Sequence, residues 1–224
     1  MMTAYRRWAC GLLAGVLVLL IAAGAVVWAA DPCFYLRLPE GGKAVAFNER
    51  YQNAGLLRQA QADTVVLGTS MVANYRPSQI SEVFGGSAVR LTVPDGYLSE
   101  FDTTLEAVFA SHPPERVIFG LDANILVRDE SGLTDALPEY LYNTNPLDDV
   151  RYFLNRDTLY YSVYTLMTLG QGGGTPVDEL FTWDGDIWWN HMTALDNYDR
   201  PEIVDQTLPR DAYLDCAAAN LEVI

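Results

Sequence analysis

The chain has 224 residues, half of which are hydrophobic, and a formal net charge of −15. This length and composition suffice for one packed domain with an appendage, and they exclude a disordered or fibrous chain. Lys43 is the only lysine. The charge therefore excludes a broad basic surface for nucleic acid, because binding to phosphates depends mainly on Lys and Arg.

The N-terminal segment carries the clearest physical pattern, an apolar run over residues 8–30 that follows Arg6 and Arg7. At about 1.5 Å per residue, this run is long enough to cross the roughly 30 Å apolar core of a bilayer. The positive-inside rule predicts residues 1–7 in the cytoplasm and everything after Asp31 outside the cell membrane. The lipid bilayer is thus a predicted partner through residues 8–30.

A cleaved secretory signal is the alternative, because Val27-Trp28-Ala29 resembles a cleavage site. We favour an uncleaved signal-anchor, since the apolar region of a signal peptide normally has only about 7–15 residues. Either interpretation exports the domain.

The three cysteines give no metal signature. Cys10 lies within the apolar run, whereas Cys33 and Cys216 follow it and could either form a disulfide or both remain free. No CxxC motif or Cys/His cluster occurs, so we expect neither a metal site nor a cofactor.

Pro and Gly residues between Asp31 and Asn53 indicate an extracellular stalk, and we assign residues 31–62 to the stalk and the entry to the domain. Residues 63–134 then alternate between buried-strand and helix patterns. The predicted elements are a strand over Asp63–Gly68, a helix over Pro77–Phe84, a strand over Val89–Val93, a helix over Tyr97–Ala110 and a strand over Arg116–Leu121.

This alternation predicts an α/β fold with a parallel sheet. Three turns leave the carboxyl ends of the strands, at Gly68-Thr69-Ser70, Pro94-Asp95-Gly96 and Asp122-Ala123-Asn124. Ligands of such sheets bind at the carboxyl ends of the strands. We therefore expect the three turns to converge on one rim.

Residues 135–204 have a different character and are predicted to be a helical and aromatic-acidic insertion. Its helical pattern runs from 150 to 169 and is interrupted near Asn155 and Asp157. Within it, Asp184-Gly185-Asp186 is interpreted as a solvated loop, and the tryptophans at 183, 188 and 189 either pack on the sheet or stack on sugar rings. Because three strands are few for such a sandwich, we expect residues 205–224 to begin a C-terminal part that is truncated here.

The blocks Gly68-Thr69-Ser70, Gly96 and Gly120-Leu121-Asp122 resemble the ordered blocks of the SGNH/GDSL hydrolase superfamily. The segments DTVVLGTSMV, NERYQNAGLL and LPEYLYNTNPLDDVRYFLNRD resemble its membrane-anchored, DltD-like branch, envelope proteins of Gram-positive bacteria. The resemblance covers most of residues 31–157. It implies a three-layer α/β/α sandwich with a parallel sheet, incomplete in this chain, after one N-terminal transmembrane helix.

The resemblance also implies roles for individual residues. Ser70 matches the nucleophile and Gly96 the backbone donor of the oxyanion hole, while Thr69 stands where the Gly-Asp-Ser signature has Asp. Asp122 stands where the family has Asn. An ionised Asp122 would repel an oxyanion, so it must be protonated or have another role; Asn124, two residues later, is the alternative donor.

The family completes its triad with a C-terminal Asp-x-x-His block, which this sequence lacks. His112, before two prolines, is interpreted as a helix-end residue, and His191 lies in the insertion. A serine without a base is a poor nucleophile, so the chain as it stands is expected to be inactive. The resemblance implies a serine esterase or O-acyltransferase acting on a cell-wall polymer or acyl carrier.

The alternative is a non-catalytic envelope protein that keeps the same fold as a binding or scaffolding module. In that case Ser70 is only a polar turn residue, and the aromatic-acidic segment over residues 178–201 contacts the partner.

Overall fold

The computed structural model describes residues 2–39, 42–128 and 137–182. Its α-helices are α1 (Met2–Ala30), α2 (Glu49–Ala60), α3 (Pro77–Phe84), α4 (Leu98–Ser111), α5 (Ala123–Val127), α6 (Glu139–Tyr142), α7 (Val150–Phe153) and α8 (Arg156–Gly170). Its strands are β1 (Lys43–Ala44), β2 (Thr64–Gly68), β3 (Ala88–Thr92), β4 (Arg116–Gly120) and β5 (Thr175–Pro176), and single 3₁₀ turns cover Ser70–Val72 and Val177–Glu179.

The central sheet has the order β3-β2-β4, and both pairings are parallel. Every residue of β2 is buried, as its continuous β-branched and apolar sequence predicts for a strand covered on both faces. Helices α3 and α4 provide the two crossovers. The three predicted strands, the two predicted helices and the parallel arrangement are therefore confirmed, each within one or two residues.

The helices around this sheet share one core with it. Helix α2 packs against β3 and α4, and α3 packs against β3 and β2. The largest fully buried side chains include Phe101 of α4, Leu67 of β2 and Leu91 of β3. The described part is thus a mixed α/β domain with a small parallel sheet and one apolar N-terminal helix.

The segment predicted to be a stalk is instead packed into the domain. Asp31, Cys33, Phe34 and Tyr35 are buried, and α2 covers residues assigned to the stalk and entry. Helix α2 approaches the segment so closely that a Cβ on Gly55 would overlap the carbonyl oxygen of Cys33. Pro and Gly prevent regular structure locally, but they do not prevent burial, and the pattern could not distinguish the two.

Buried polar side chains fix this segment. Both carboxylate oxygens of Asp31 accept hydrogen bonds, from the N–H groups of Tyr35, Leu36 and Arg37 at 2.9–3.0 Å and from the Tyr152 hydroxyl at 2.7 Å. Gln52, which is fully buried, donates to the carbonyls of Pro32 and Val45, both at 2.9 Å. These bonds satisfy the backbone groups that an irregular segment exposes.

Helix α1 is long and apolar enough to cross a membrane over Ala4–Ala30, by length and composition, which fits either an anchor or a signal sequence. Its last turns join the domain. Val27 is fully buried in the hydrophobic core, and α1 packs against α7 and α8.

The predicted helical segment and its interruption at Asn155 are confirmed, whereas Asp157 lies in the first turn of the second helix. Helix α7 ends at Phe153, and the side chain of Asn155 accepts a 2.8 Å hydrogen bond from the N–H of Asp157 to start α8. The glycine-rich stretch that follows leads to β5, which pairs antiparallel with β1. The predictions for residues 183–224, including His191, Cys216, Asp184-Gly185-Asp186 and the three tryptophans, lie outside the described residues.

Candidate functional site

Ser70 lies at the carboxyl end of β2, the central strand of the sheet. It opens a single 3₁₀ turn in which the N–H of Val72 bonds to the carbonyl of Thr69 at 3.1 Å and the N–H of Ala73 to that of Ser70 at 3.1 Å. Ser70 is half-buried. Its hydroxyl forms no side-chain hydrogen bond with any residue in the described ranges, so it is presented at the rim rather than used in the turn.

Two glycines allow the turn to fold back onto the strand ends. Gly68 and Gly120 are paired in register, and the side chain of Val72 lies over both. A Cβ on Gly68 would come within 2.9 Å of Val72 Cγ1, and one on Gly120 would come closer still. A larger residue at either position would displace Val72 and with it the turn that carries Ser70.

Thr69 and Asp122 connect the ends of β2 and β4. The Thr69 hydroxyl donates to Oδ2 of Asp122 at 2.5 Å and accepts from the N–H of Met71 at 3.3 Å. The other carboxylate oxygen of Asp122 accepts from the N–H of Ile125 at 3.3 Å. Asp122 thus begins α5 and holds two strand ends together, and its part in an oxyanion site stays a prediction.

Gly96 lies on the same rim, but its backbone N–H is already used. That N–H donates to the carbonyl of Val93 at 3.0 Å, and the N–H of Val93 donates to the carbonyl of Gly68 at 2.9 Å. A Cβ at position 96 would lie 2.7 Å from Cζ of Phe101. The structure therefore explains this glycine by the turn and by its contact with Phe101, and the oxyanion role of Gly96 stays a prediction.

Asn124 lies in α5, directly after Asp122 and Ala123. The structure describes its backbone and not its side chain, so the alternative oxyanion donor stays a prediction. The expected convergence of the three turns is nevertheless seen, because a side-chain bond from Thr69 to Asp122 and a backbone bond from Val93 to Gly68 connect neighbouring strand ends.

His112 does not reach Ser70. It follows the last residue of α4 and precedes β4, whose first residue Arg116 is in register with Thr64, the first residue of β2. Ser70 lies beyond the other end of β2, and five strand residues span about 13 Å. No histidine in the described ranges is therefore placed to act as a base for Ser70.

An ion pair beside the rim was not predicted from the sequence. The Arg50 guanidinium binds both carboxylate oxygens of Glu100, at 2.6 and 3.0 Å, and also donates to the carbonyl of Pro94 at 3.3 Å. The same carboxylate accepts from the N–H of Tyr97 at 3.0 Å. Both side chains are largely buried. Helix α2 thereby fixes the loop that leaves β3, and the spacing of fifty residues in the chain gave no local signal for this pair.

A second cation lies on the exposed side of the same loop. Arg128 binds the carboxylate and the carbonyl of Asp95, and its guanidinium lies 4.5 Å from the ring centroid of Tyr97. This hydrogen-bonded guanidinium lowers the pKa of the Asp95 carboxyl below its usual value. Asp95 itself has a positive φ of 56°, which this contact helps to hold.

No group of three or more His, Cys, Asp or Glu side chains is placed to hold a metal ion in the part of the chain that the structure describes. Comparison with known proteins adds no relative: no family model, no curated protein and no solved structure matches this chain.

Proposed function

We propose that this protein is a membrane-anchored, exported α/β protein of the SGNH type that hydrolyses or transfers an acyl ester on a cell-envelope polymer or its carrier. The observation that carries the proposal is Ser70, a half-buried serine at the carboxyl end of the central parallel strand, whose hydroxyl forms no side-chain hydrogen bond within the described residues. This is the position at which such sheets bind ligands. The three-layer sandwich belongs to the same proposal.

In this reaction the Ser70 hydroxyl attacks the ester carbonyl and its proton passes to a base. The tetrahedral intermediate then collapses to the acyl-enzyme as the ester C–O bond breaks, and the base returns the proton to the leaving alcohol. Water or a second alcohol then takes the acyl group and regenerates the serine. The described residues supply the positioned hydroxyl and the rigid rim, and they do not supply the base. Activity therefore requires a histidine from outside the described ranges.

The end of α1 supports an anchor rather than a cleaved signal. Cleavage after Ala29 would remove Val27 from the core. It would also remove the carbonyls of Trp28 and Ala29, to which the Arg37 guanidinium donates at 2.9 and 2.8 Å. Arg6 and Arg7 precede the apolar run and favour a cytoplasmic N-terminus, with the main domain outside the cell membrane.

The test is labelling of the full chain, in membranes, with a fluorophosphonate that reacts with activated serines. We expect the label on Ser70, identified by mass spectrometry, and its complete loss in the Ser70→Ala variant. Ser111→Ala is the matched control, because Ser111 is an exposed serine next to His112 at the other end of the sheet. Equal labelling of wild type and Ser70→Ala would overturn the assignment of the nucleophile.

A second candidate is a non-catalytic envelope protein that uses the fold for binding or scaffolding. The hydrogen bonds of the rim favour it. The N–H of Gly96 donates to the carbonyl of Val93, and the hydroxyl of Thr69 donates to the carboxylate of Asp122. Absence of any label on folded protein would favour this candidate.

A further inference from the structure

The buried residues of α8 carry hydroxyl groups, whereas most of its large exposed residues are apolar. The partly buried Leu159 packs on the core and Tyr161 stacks on Phe47. The buried residues of the helix are Thr158, Ser162 and Thr165. The residues Tyr160, Val163, Tyr164 and Met167 follow one another at helical spacing and form what we call the outward face of α8. They are 66%, 46%, 47% and 59% exposed.

This polarity is the reverse of that of a helix on a water-soluble domain, which buries its apolar side. It is typical of helices in lipid, where small and hydroxyl-bearing residues lie between helices and large apolar residues lie outside. The sequence around the face is consistent with this environment, because no Asp, Glu, Lys, Arg or His occurs from Thr158 to Val177.

Helix α8 lies next to the end of α1. The two helices pack together, and a cavity of about 480 Å³ is lined by Trp28 and Ala30 of α1 together with Thr165 and Leu169 of α8. Phe153 of α7 lies beside Gly24 of α1. The Cβ of Phe153 is 3.8 Å from the position that a Cβ on Gly24 would take. Gly24 lies six positions before Ala30 in α1, a rise of about 9 Å along the helix axis.

The exposed apolar surface of α1 continues over α7 and α8, the two helices that pack against it. Val150 and Leu154, at the two ends of α7, are exposed, as are Leu166 and Leu169 of α8. An exposed apolar surface of this extent marks a binding surface. Its continuity with the apolar surface of α1 favours lipid over a second copy of the chain.

We propose that the outward face of α8 lies in the outer leaflet of the membrane, so that the exported domain rests on the bilayer instead of standing away from it. This inference rests on the membrane anchor in the proposed function. The charged first turn, with Arg156 and Asp157 exposed, stays among the headgroups, and Tyr160 and Tyr164 have the apolar ring and polar tip that suit this interface. Because the face is uncharged, its insertion does not depend on anionic lipid.

The experiment uses the full chain in phosphatidylcholine nanodiscs that contain a photoactivatable acyl chain, with crosslinked peptides identified by mass spectrometry. We expect lipid crosslinks on α1 and on the outward face of α8, and none on α3. Helix α3 is the internal control, because Val83 is 73% exposed and apolar but lies on a different surface.

A variant pair tests the face directly. Val163→Asp combined with Met167→Asp should lower the yield of lipid crosslinks on α8 about ten-fold, since charged side chains are disfavoured in the apolar layer, while crosslinks on α1 persist. Val83→Asp should change neither yield.

Crosslinks on α1 alone, or crosslinks between two protein chains at α8, would mean that protein covers the face, and they would overturn the inference while the anchor stands. Absence of lipid crosslinks on α1 would overturn the anchor itself and the inference with it.

Discussion

Arg50 is the single residue whose replacement should damage the rim most. Its guanidinium is the bidentate partner of Glu100, whose side chain is only 3% exposed. In the Arg50→Met variant this carboxylate would remain buried without its cation. We expect a loss of about 3 kcal/mol in the free energy of unfolding, measured by chemical denaturation of the full chain in detergent.

The matched control adds Glu100→Gln to Arg50→Met, which removes the unpaired charge. The double variant should be more stable than Arg50→Met alone, because a neutral amide is less costly to bury than an ion. A double variant that is less stable than the single one would show that the lost stability does not come from an unpaired charge.

The contacts of other individual residues became clear only from the structure. Gly96 and Asp122 were assigned from their positions after two strands, and the positions were correct. Gly96 contacts Val93 and Phe101, which are close to it in the chain, whereas Asp122 is bound by the distant Thr69. A motif fixes where a side chain stands along a strand, while a hydrogen bond depends on which other groups reach it.

At the scale of the elements, α2 shows how a contact can reverse a helix preference. Gly55 lies in the middle of this helix, where Ala would ordinarily stabilise by about 1 kcal/mol. Its position against Cys33 and Phe34 leaves no room for a Cβ. We expect Gly55→Ala to lower the midpoint of thermal unfolding of the full chain.

Gly170 provides the comparison for this substitution. It is the last residue of α8, and a Cβ there would meet no atom within 4 Å in the described part of the chain beyond its own helix and its chain neighbours. Gly170→Ala should leave the midpoint unchanged or raise it slightly. If both substitutions had the same effect, the close approach of α2 to the segment after α1 would be wrong.

The strands and helices of the sheet region were predictable because their signals are local. An apolar β-branched run bounded by turn residues defines each of β2 and β3, and a proline at the first position of α3 defines its start. The conformation of the segment between α1 and α2 was not predictable. It is fixed by the side chains of Asp31 and Gln52, which form hydrogen bonds with backbone groups of an irregular segment.

At the scale of the whole molecule, the buried junction between α1, α2 and α7 makes stability depend on alkaline pH. Cys33 is fully buried there, and burial, reinforced by the negative charge of Asp31, raises the pKa of its thiol above the usual value. The folded protein therefore keeps the proton that the unfolded chain loses near pH 8.5.

The sign follows from this difference. Below about pH 8.5 both states bind the proton, and above it only the folded state does, so the free energy of unfolding falls by up to about 1.4 kcal/mol per pH unit. We expect this decline between about pH 8.5 and 10 in denaturation of the full chain. Cys33→Ala should remove that part of the slope, and an unchanged slope would show that the thiol is not buried in the folded state.

By itself, the sequence determined the apolar N-terminal helix, the three parallel strands with their crossovers and the position of Ser70. These features follow from the hydrophobic period, the turn-forming Gly and Pro residues and the charges, all of which are patterns between neighbours in the chain. Tertiary structure alone decided the burial of the segment after Asp31, the contact between Asp122 and Thr69 and the outward apolar face of α8. Each of these depends on which distant groups come into contact, and local patterns carry no information about that choice.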